Sequence, residues 1–112
     1  MKKFFINIAK AASIGSGSQS IQTINISNES DFQITDIRTS GTSGVFISVA
    51  NSTGELLSNL SFNSGLIGSG LNGYRLPEVF IIPKNSSLQV TFDNQSGGAV
   101  TNQELQLIGF KL

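Results

Sequence analysis

Apolar and polar residues alternate along most of the chain, with the period of two that is typical of strands with one buried face. The segments that show this period are 21–26, 32–37, 45–49, 56–62, 88–92 and 105–112. Residues 79–82 are apolar throughout, which indicates a strand covered on both faces. Within 32–37 the alternation slips before Ile37, which predicts a bulge. No window has the 3.6-residue period of an amphipathic helix.

Turn-forming residues separate these segments, at 28–30, 40–41, 52–54, 83–85 and 96–98. About seven short strands at this spacing are typical of a β-sandwich or jelly roll. The pattern therefore predicts an all-β fold, a jelly-roll-like antiparallel β-sandwich over residues 20–112. The longest stretch without alternation is 63–76, and a loop of this length is expected to bind a ligand or neighbour, or to be mobile.

Residues 1–19 are predicted to form an N-terminal extended arm with a Gly/Ser linker, because GSGSQS at 15–20 has the composition of a flexible segment. Phe4, Phe5, Ile6 and Ile8 are its expected assembly contacts, able to add a strand or an apolar plug to a neighbour. The alternative is that the arm folds back as an edge strand of its own sandwich. A secretory signal is a further alternative, although Asn7 and Lys10 break the apolar run.

Composition narrows the possible functions. Seven basic residues balance seven acidic ones, which argues against a direct nucleic-acid partner, and charged residues make up only 12% of the chain. A surface so poor in charge loses little on desolvation at an interface. The chain has no Cys and no His, so disulfides and the usual zinc sites are excluded. No apolar stretch is as long as a membrane helix.

Few residue patterns point to catalysis. Residues 68–73 fit G-x-G-x-x-G, but Pro77 prevents the helix that a dinucleotide site requires. Glu29 and Asp31 could contribute to a calcium site, although calcium needs more oxygen ligands than these two supply. No Ser has a partner that marks it as a nucleophile. We therefore expect no enzyme activity, no cofactor and no metal.

Tyr74 and Arg75 follow the glycine-rich stretch, and both residue types are common at protein interfaces. They are candidate assembly contacts at a binding edge. The alternative is that Tyr74 caps the core at the end of the loop.

The C-terminal half resembles small jelly-roll virion proteins of bacteriophages. The resemblance depends on PEVFIIP at 77–83, NSSLQVTFDN at 85–94 and the final strand that ends in GFKL, and it extends loosely over residues 20–112. It implies a virion component without catalytic residues: a penton at the capsid vertices, a minor capsid protein or a decoration protein.

From this resemblance we expect a structural protein of the virion capsid, at a vertex or as a minor capsid protein. It is expected to form a homo-oligomer, with a pentamer favoured, and to contact the major capsid protein and other virion proteins. One alternative is a capsid decoration protein. Another is a carbohydrate- or receptor-binding β-sandwich module, although the chain has no Trp and one Tyr for stacking on sugars. A secreted or surface-layer protein is a third possibility.

Overall fold

The computed structural model describes residues 3–26, 29–51, 62–64 and 74–112. Within these residues the chain forms eight strands. They are β1 (Lys3–Ile14), β2 (Gln19–Asn25), β3 (Phe32–Thr39), β4 (Val45–Asn51), β5 (Phe62–Asn63), β6 (Tyr74–Ile82), β7 (Ser87–Asn94) and β8 (Val100–Lys111).

The strands form two antiparallel sheets of four strands each. The first sheet has the order β1-β8-β3-β6, and the second has the order β2-β7-β4-β5. Every connection except that between β4 and β5 passes from one sheet to the other. Eight strands in two sheets connected in this way form a jelly roll. The prediction of an all-β, jelly-roll-like antiparallel sandwich is confirmed.

The hydrophobic core lies between the two sheets and consists of the alternating residues that the sequence pattern assigned to one face. In β4, β7 and β8 every second side chain is buried along most of the strand. Full burial of one large aliphatic side chain stabilises a fold by about 1.5–3 kcal/mol. The buried apolar residues are Ala9, Ala11, Ile14, Ile24, Ile26, Phe32, Ile34, Val45, Ile47, Val49, Ile82, Leu88, Val90, Phe92, Leu105 and Leu107.

The predicted N-terminal arm is part of the sandwich. Residues 3–14 form β1, which pairs with β8 over its whole length, from Lys3 opposite Lys111 to Ile14 opposite Val100. The prediction of an arm outside the sandwich is therefore wrong, and the edge-strand alternative is correct. The sequence pattern was hard to see because the inward positions of this strand include Ala9 and Ala11, whose small side chains are only 2% exposed.

The predicted Gly/Ser linker is an ordered turn between β1 and β2. The backbone N–H of Ser18 donates to the carbonyl oxygen of Gly15 at 3.0 Å, and that of Gly17 donates to Asn94 at 2.9 Å. Gly17 has φ of 73°, a conformation that favours glycine. The predicted boundary at residue 19 therefore does not separate a mobile segment from the β-sandwich.

The predicted slip in β3 is a bulge. The register of β3 with both of its neighbours shifts between Ile34 and Asp36. The hydroxyl of Thr35 donates to the carbonyl oxygen of Ile108 at 3.2 Å, so the extra residue remains tied to β8. In β6 the unpaired stretch between Arg75 and Phe80 contains Pro77, which is tolerated because β6 is an edge strand.

Several predictions concern residues 52–73. Of the predicted strand at 56–62, only Phe62 lies within the described residues, as the first residue of β5. The predicted loop at 63–76 is shorter at its C-terminal end, because β6 begins at Tyr74. The glycine motif at 68–73 lies outside the described residues.

Candidate interaction surface

The outer face of the first sheet is built from rows of residues that lie opposite one another. Phe4 is opposite Phe110, and Ile6 is opposite Ile108. Residues directly opposite in an antiparallel pair point to the same side of the sheet. Because Leu107 and its alternate neighbours in β8 point into the core, these four side chains point away from it.

This face also includes Ile8 and, on the far edge of the sheet, Ile81. Ile81 belongs to the same row across the sheet as Phe4. Phe4 is opposite Phe110, which is opposite Gln33 on its other side, and Gln33 is in turn opposite Ile81. Phe4 is 59% exposed, Ile8 50% and Ile81 49%. We call the six residues the outer apolar face; they are Phe4, Ile6, Ile8, Ile81, Ile108 and Phe110.

One end of this face contains an aromatic contact. The rings of Phe4 and Phe110 meet edge to face, with centroids 6.0 Å apart and an interplanar angle of 77°. Such pairs contribute about 0.5–1.5 kcal/mol beyond the area that they bury. The five members on β1 and β8 are adjacent, whereas Gln33 and Asp36 of β3 separate them from Ile81. An exposed apolar patch on an ordered sheet is typical of a surface that contacts another molecule.

The second sheet has a different outer face. Most of the side chains that point outward from it are polar: Gln19, Thr23, Asn25, Ser48, Ser87, Gln89, Thr91 and Asp93. Ile21, which is 57% exposed, and Phe46 lie among them on different rows and on strands separated by β7. The outer face of the first sheet is therefore apolar on β1 and β8 and polar on β3, whereas the outer face of the second sheet is mostly polar.

A polar region borders the outer apolar face beyond Ile8. Lys10 lies opposite Glu104 in the next outward row, and Gln106, which lies opposite Ile8, is paired on its other side with Arg38. The side-chain amide of Gln106 donates to Glu104 at 3.1 Å.

An open pocket of about 190 Å³ lies in this region, lined by Arg38, Thr39, Ser40, Glu104 and Gln106. The Nε atom of Arg38 is buried there and has no hydrogen-bond partner among the described residues. A buried donor left without an acceptor costs about 1–3 kcal/mol.

Phe5 faces the opposite way from Phe4. It lies opposite Gly109, and its ring contacts that of Phe32 edge to face at 6.4 Å. The ammonium group of Lys111 lies 3.9 Å from the centre of the Phe5 ring, a cation–π contact. Phe5 and Phe32 line a pocket of about 120 Å³, which Asn7, Asn25, Ile26, Ser30 and Lys111 complete.

The structure separates the residues that the sequence named as assembly contacts. Phe4, Ile6 and Ile8 lie together on the outer apolar face, whereas Phe5 packs at the edge of the core. The backbones of Tyr74 and Arg75 pair with Ile37 and Asp36, at the start of the opposite edge strand. Their role as a binding edge or a core cap stays a prediction.

The sequence reasoning missed three members of this face, Ile81, Ile108 and Phe110. A signal for two of them was present. Once Leu105 and Leu107 are assigned to the core, the alternation requires Ile108 and Phe110 to point outward.

Asp31 has a structural contact. Its carboxylate accepts a hydrogen bond from the backbone N–H of Lys84 at 2.9 Å, and its carbonyl oxygen accepts one from Leu112 at 3.1 Å. Within the described part of the chain, no group of three or more His, Cys, Asp or Glu side chains could hold a metal ion. Nor does a helix long and apolar enough to cross a membrane occur there.

Comparison with known proteins finds only weak structural similarity. No family model matches the chain, and no curated protein matches it. One similar solved structure is the insecticidal delta-endotoxin Cry8Ea1 from Bacillus thuringiensis, with a TM-score of 0.41 and 16% identity over 87% of this chain. Another is the enzymatically active domain of tailspike protein 4 of bacteriophage CBA120, with a TM-score of 0.38 and 14% identity over 99% of this chain.

The chain spans only 19% of the endotoxin and 18% of the tailspike chain. Both neighbours are rich in β-structure, and neither likeness identifies a family.

Proposed function

We propose that the chain is a structural component of a bacteriophage virion, which acts by self-assembly and by contact with a major capsid protein. The observation that supports this proposal is the difference between the two outer faces of the sandwich. One has an apolar half formed by β1 and β8, and the other is mostly polar. An assembly subunit needs one face to be covered and another to stay in water.

Energetics favour covering the outer apolar face. Phe4, Ile8 and Ile81 each keep about half of their surface in water. Removing that remainder from water stabilises an assembly by roughly 1 kcal/mol per side chain. With equal numbers of basic and acidic residues, subunits of this kind have no net charge to drive them apart.

The position within a particle is a separate part of the proposal. A free N-terminal arm would favour a vertex position over surface decoration, because such an arm suits a subunit of the capsid shell. Since residues 3–14 belong to the sandwich, that reason no longer applies. A ring of five subunits at each vertex stays our proposal, with a minor capsid or decoration protein as its alternatives.

Copy number in purified particles tests the proposal. Quantitative mass spectrometry should find the chain in particles, at a constant ratio to the major capsid protein. A ratio equal to five copies per icosahedral vertex would support a penton, and a several-fold higher ratio would support a decoration protein. Absence of the chain from particles would overturn the proposal, and glycan binding that is lost in Tyr74→Ala would favour the carbohydrate-binding alternative.

A further inference from the structure

We infer that β1 pairs along its outer edge with β1 of a second copy of this chain, in an antiparallel two-fold contact. The inference goes beyond the proposed function, because it concerns the edge of a strand and not the faces of the sandwich. The contact joins two subunits and does not by itself build a ring of five. Three observations support it: the open edge of β1, the composition of that edge and the fit of the strand to itself.

β1 is an edge strand along its whole length. It is the first strand in the order β1-β8-β3-β6, and within the described residues it pairs with β8 alone. Alternate residues of such a strand direct their backbone N–H and C=O groups away from the sheet. This row of donors and acceptors is a template for pairing with a strand of another molecule.

The other edge strands that the structure describes are less suited to pairing. β5 has only two residues, and β6 contains Pro77 in the stretch where its pairing with β3 is interrupted. β2 has polar residues at five of its seven positions. β1, in contrast, extends over twelve residues, and the six from Phe4 to Ala9 include no charge, proline or glycine. Natural proteins rarely leave an edge of this kind without a partner.

The sequence of β1 complements itself when two copies run antiparallel. A two-fold axis at Asn7, perpendicular to the sheet, pairs the nine positions from Lys3 to Ala11 with the same positions of the partner subunit. Residues directly opposite in such a pair point to the same side of the sheet. Ile6 therefore contacts Ile8 of the partner subunit on the outer side, and the reverse contact repeats across the axis.

Charge favours this register over its neighbours. Lys10 lies opposite Phe4 of the partner subunit, where its ammonium group can form a cation–π contact, and no two described lysines face each other. An axis at Ile8 would instead set Lys10 against Ile6 of the partner subunit. An axis at Ile6 would pair only seven described positions.

Backbone hydrogen bonds compensate for the small side-chain area of an edge contact. Alternate pairs in an antiparallel ladder exchange two hydrogen bonds each, so nine pairs form about eight to ten. A typical protein interface has a similar number, about ten. Because little side-chain area is buried, we expect a reversible dimer of the weak class. Each copy uses β1 once, so the assembly closes at two subunits.

The outer apolar face stays open in this dimer. The axis sets the apolar halves on β1 and β8 of the two copies next to each other, on one side of the joined sheet. The contact with a major capsid protein, which belongs to the proposed function, is therefore compatible with the dimer.

Sedimentation velocity of the full chain, at concentrations up to about 1 mM, tests the inference. We expect a monomer–dimer equilibrium that Ile8→Lys weakens by about tenfold or more, because a charge then lies in the middle of the paired edge. Ile81→Lys is the matched control. Ile81 is 49% exposed and Ile8 50%, and both belong to the outer apolar face, but Ile81 lies on the opposite edge strand. The control should keep the dissociation constant within about twofold of the original.

Proline substitutions test the backbone pairing directly. Adjacent residues direct their N–H groups to opposite edges of the strand, so one of Ile6→Pro and Asn7→Pro removes a donor to β8 and the other a donor at the outer edge. The variant whose melting temperature, measured by circular dichroism, is closer to that of the original chain is the one altered at the outer edge. That variant should dimerise at least about tenfold more weakly than the original chain, and unchanged dimerisation would overturn the inference.

Disulfide trapping tests the register, since the chain has no native Cys. In Asn7→Cys chains the two Cβ atoms would be directly opposite, about 4.5–5.5 Å apart, whereas in Ile6→Cys chains they would be diagonal, about 7–8 Å apart. Mild oxidation should therefore trap the Asn7→Cys dimer faster. A dimer trapped faster through Ile6→Cys would overturn the register centred on Asn7.

Different results would overturn different proposals. A chain that stays monomeric, a dimer that Ile81→Lys weakens as much as Ile8→Lys does, or growth into open-ended fibres would overturn the paired edge. So would a monomer whose β1 edge takes up an extended segment of another protein. Presence of the chain in particles would then still support the proposed function. A dimer with the expected sensitivity, from a chain that is absent from particles, would support the inference and overturn the proposed function.

Discussion

The side-chain amide of Asn94 donates a hydrogen bond of 3.0 Å to the carbonyl oxygen of Ile14. The same Nδ2 atom lies 2.7 Å from the carbonyl oxygen of Gly98, and Oδ1 accepts from the backbone N–H of Ser96 at 3.0 Å. Asn94 is completely buried. One side chain thus connects the end of β1 with the turn between β7 and β8, so that the two sheets are tied together at one end of the sandwich.

Replacing Asn94 by Ala should lower the free energy of unfolding by about 2–4 kcal/mol, because it leaves buried carbonyl and N–H groups without partners. Urea unfolding monitored by circular dichroism measures the change. Gln95→Ala is the control, since the Gln95 amide donates to Asp93 in an exposed hydrogen bond. We expect the control to cost less than about 1 kcal/mol. Equal effects of the two substitutions would contradict the structural role of Asn94.

Asn94→Asp should make stability depend on pH. The variant keeps the shape of the side chain but places a carboxylate beside the carbonyl oxygens of Ile14 and Gly98. Burial and these oxygens disfavour the charged form, so the pKa of the new carboxyl is raised above its ordinary value of about 3.9. The loss of stability relative to the original chain should then grow as pH rises above about 4.

That loss should shrink in more acidic solution, where the protonated carboxyl can donate one hydrogen bond. Unfolding curves of both chains between pH 3 and 7, a range chosen to span the ordinary pKa, measure the difference. A difference that stays constant over this range would argue against burial of the side chain at position 94.

Gly109 is required by the close approach of β8 to the bulge of β3. A Cβ atom at this position would lie 1.8 Å from the carbonyl oxygen of Gln33, which is backbone and cannot rotate away. Gly109→Ala should therefore destabilise the fold by about 3 kcal/mol or more. Gly98→Ala is the matched control, because a Cβ there meets no atom within 4 Å.

The control should change stability by no more than about 1 kcal/mol, and loss of chain entropy in the unfolded state can make it slightly stabilising. Thermal unfolding of the two variants at the same concentration compares them directly. A Gly109→Ala chain as stable as the Gly98→Ala chain would mean that β3 and β8 do not approach this closely.

Phe4 and Phe5 are neighbours in sequence, but substitution by Ala should affect mainly self-association at Phe4 and mainly stability at Phe5. Phe5→Ala removes the contact with Phe32 and the cation–π contact with Lys111, and should cost about 2–3 kcal/mol of stability. Phe4→Ala removes a more exposed ring and should cost under about 1.5 kcal/mol, mostly the contact with Phe110. Phe4→Ala should instead weaken self-association, as measured by sedimentation velocity. A larger loss of stability in Phe4→Ala than in Phe5→Ala would contradict the faces assigned to the two residues.

The sequence predicted the body of the sandwich well because large side chains alternate there. In β4 and β7, Val, Ile, Leu and Phe occupy most of the inward positions, and in β7 the outward positions are polar. The break in the alternation before Ile37 was visible in the sequence because large side chains alternate on both sides of it. The fold class follows from these local patterns, since a sheet with one apolar side must bury that side.

The parts that could not be predicted depend on contacts between distant residues. In β1 the inward positions include Ala9 and Ala11, while Phe4, Ile6 and Ile8 point outward, so the larger residues suggest the wrong face. The local sequence does not reveal the role of Asn94, because nothing near it shows that a carbonyl group 80 positions earlier needs a donor. The outer apolar face required the register of β6 against β3, which no single segment contains.

Removal of residues 1–14 provides the strongest test of the N-terminal strand. The truncated chain loses one of the two partner strands of β8, along eleven paired positions, and uncovers the core beside Leu105 and Leu107. We expect the truncation to remove much of the free energy of unfolding, which is roughly 5–15 kcal/mol for a natural domain. The truncated chain should therefore lose its cooperative thermal transition and its dispersed NMR spectrum.

Two control experiments test whether the effect of the truncation is due to loss of strand pairing. Deletion of residues 1–3 removes only one described residue, the exposed Lys3, and should leave the thermal transition in place. A synthetic peptide of residues 3–14, added to the long truncation, should restore the transition, because the groove beside β8 accepts the strand in trans. If the truncated chain melted cooperatively near the temperature of the full chain, residues 3–14 would be an arm after all, and the outer apolar face would lose its first strand.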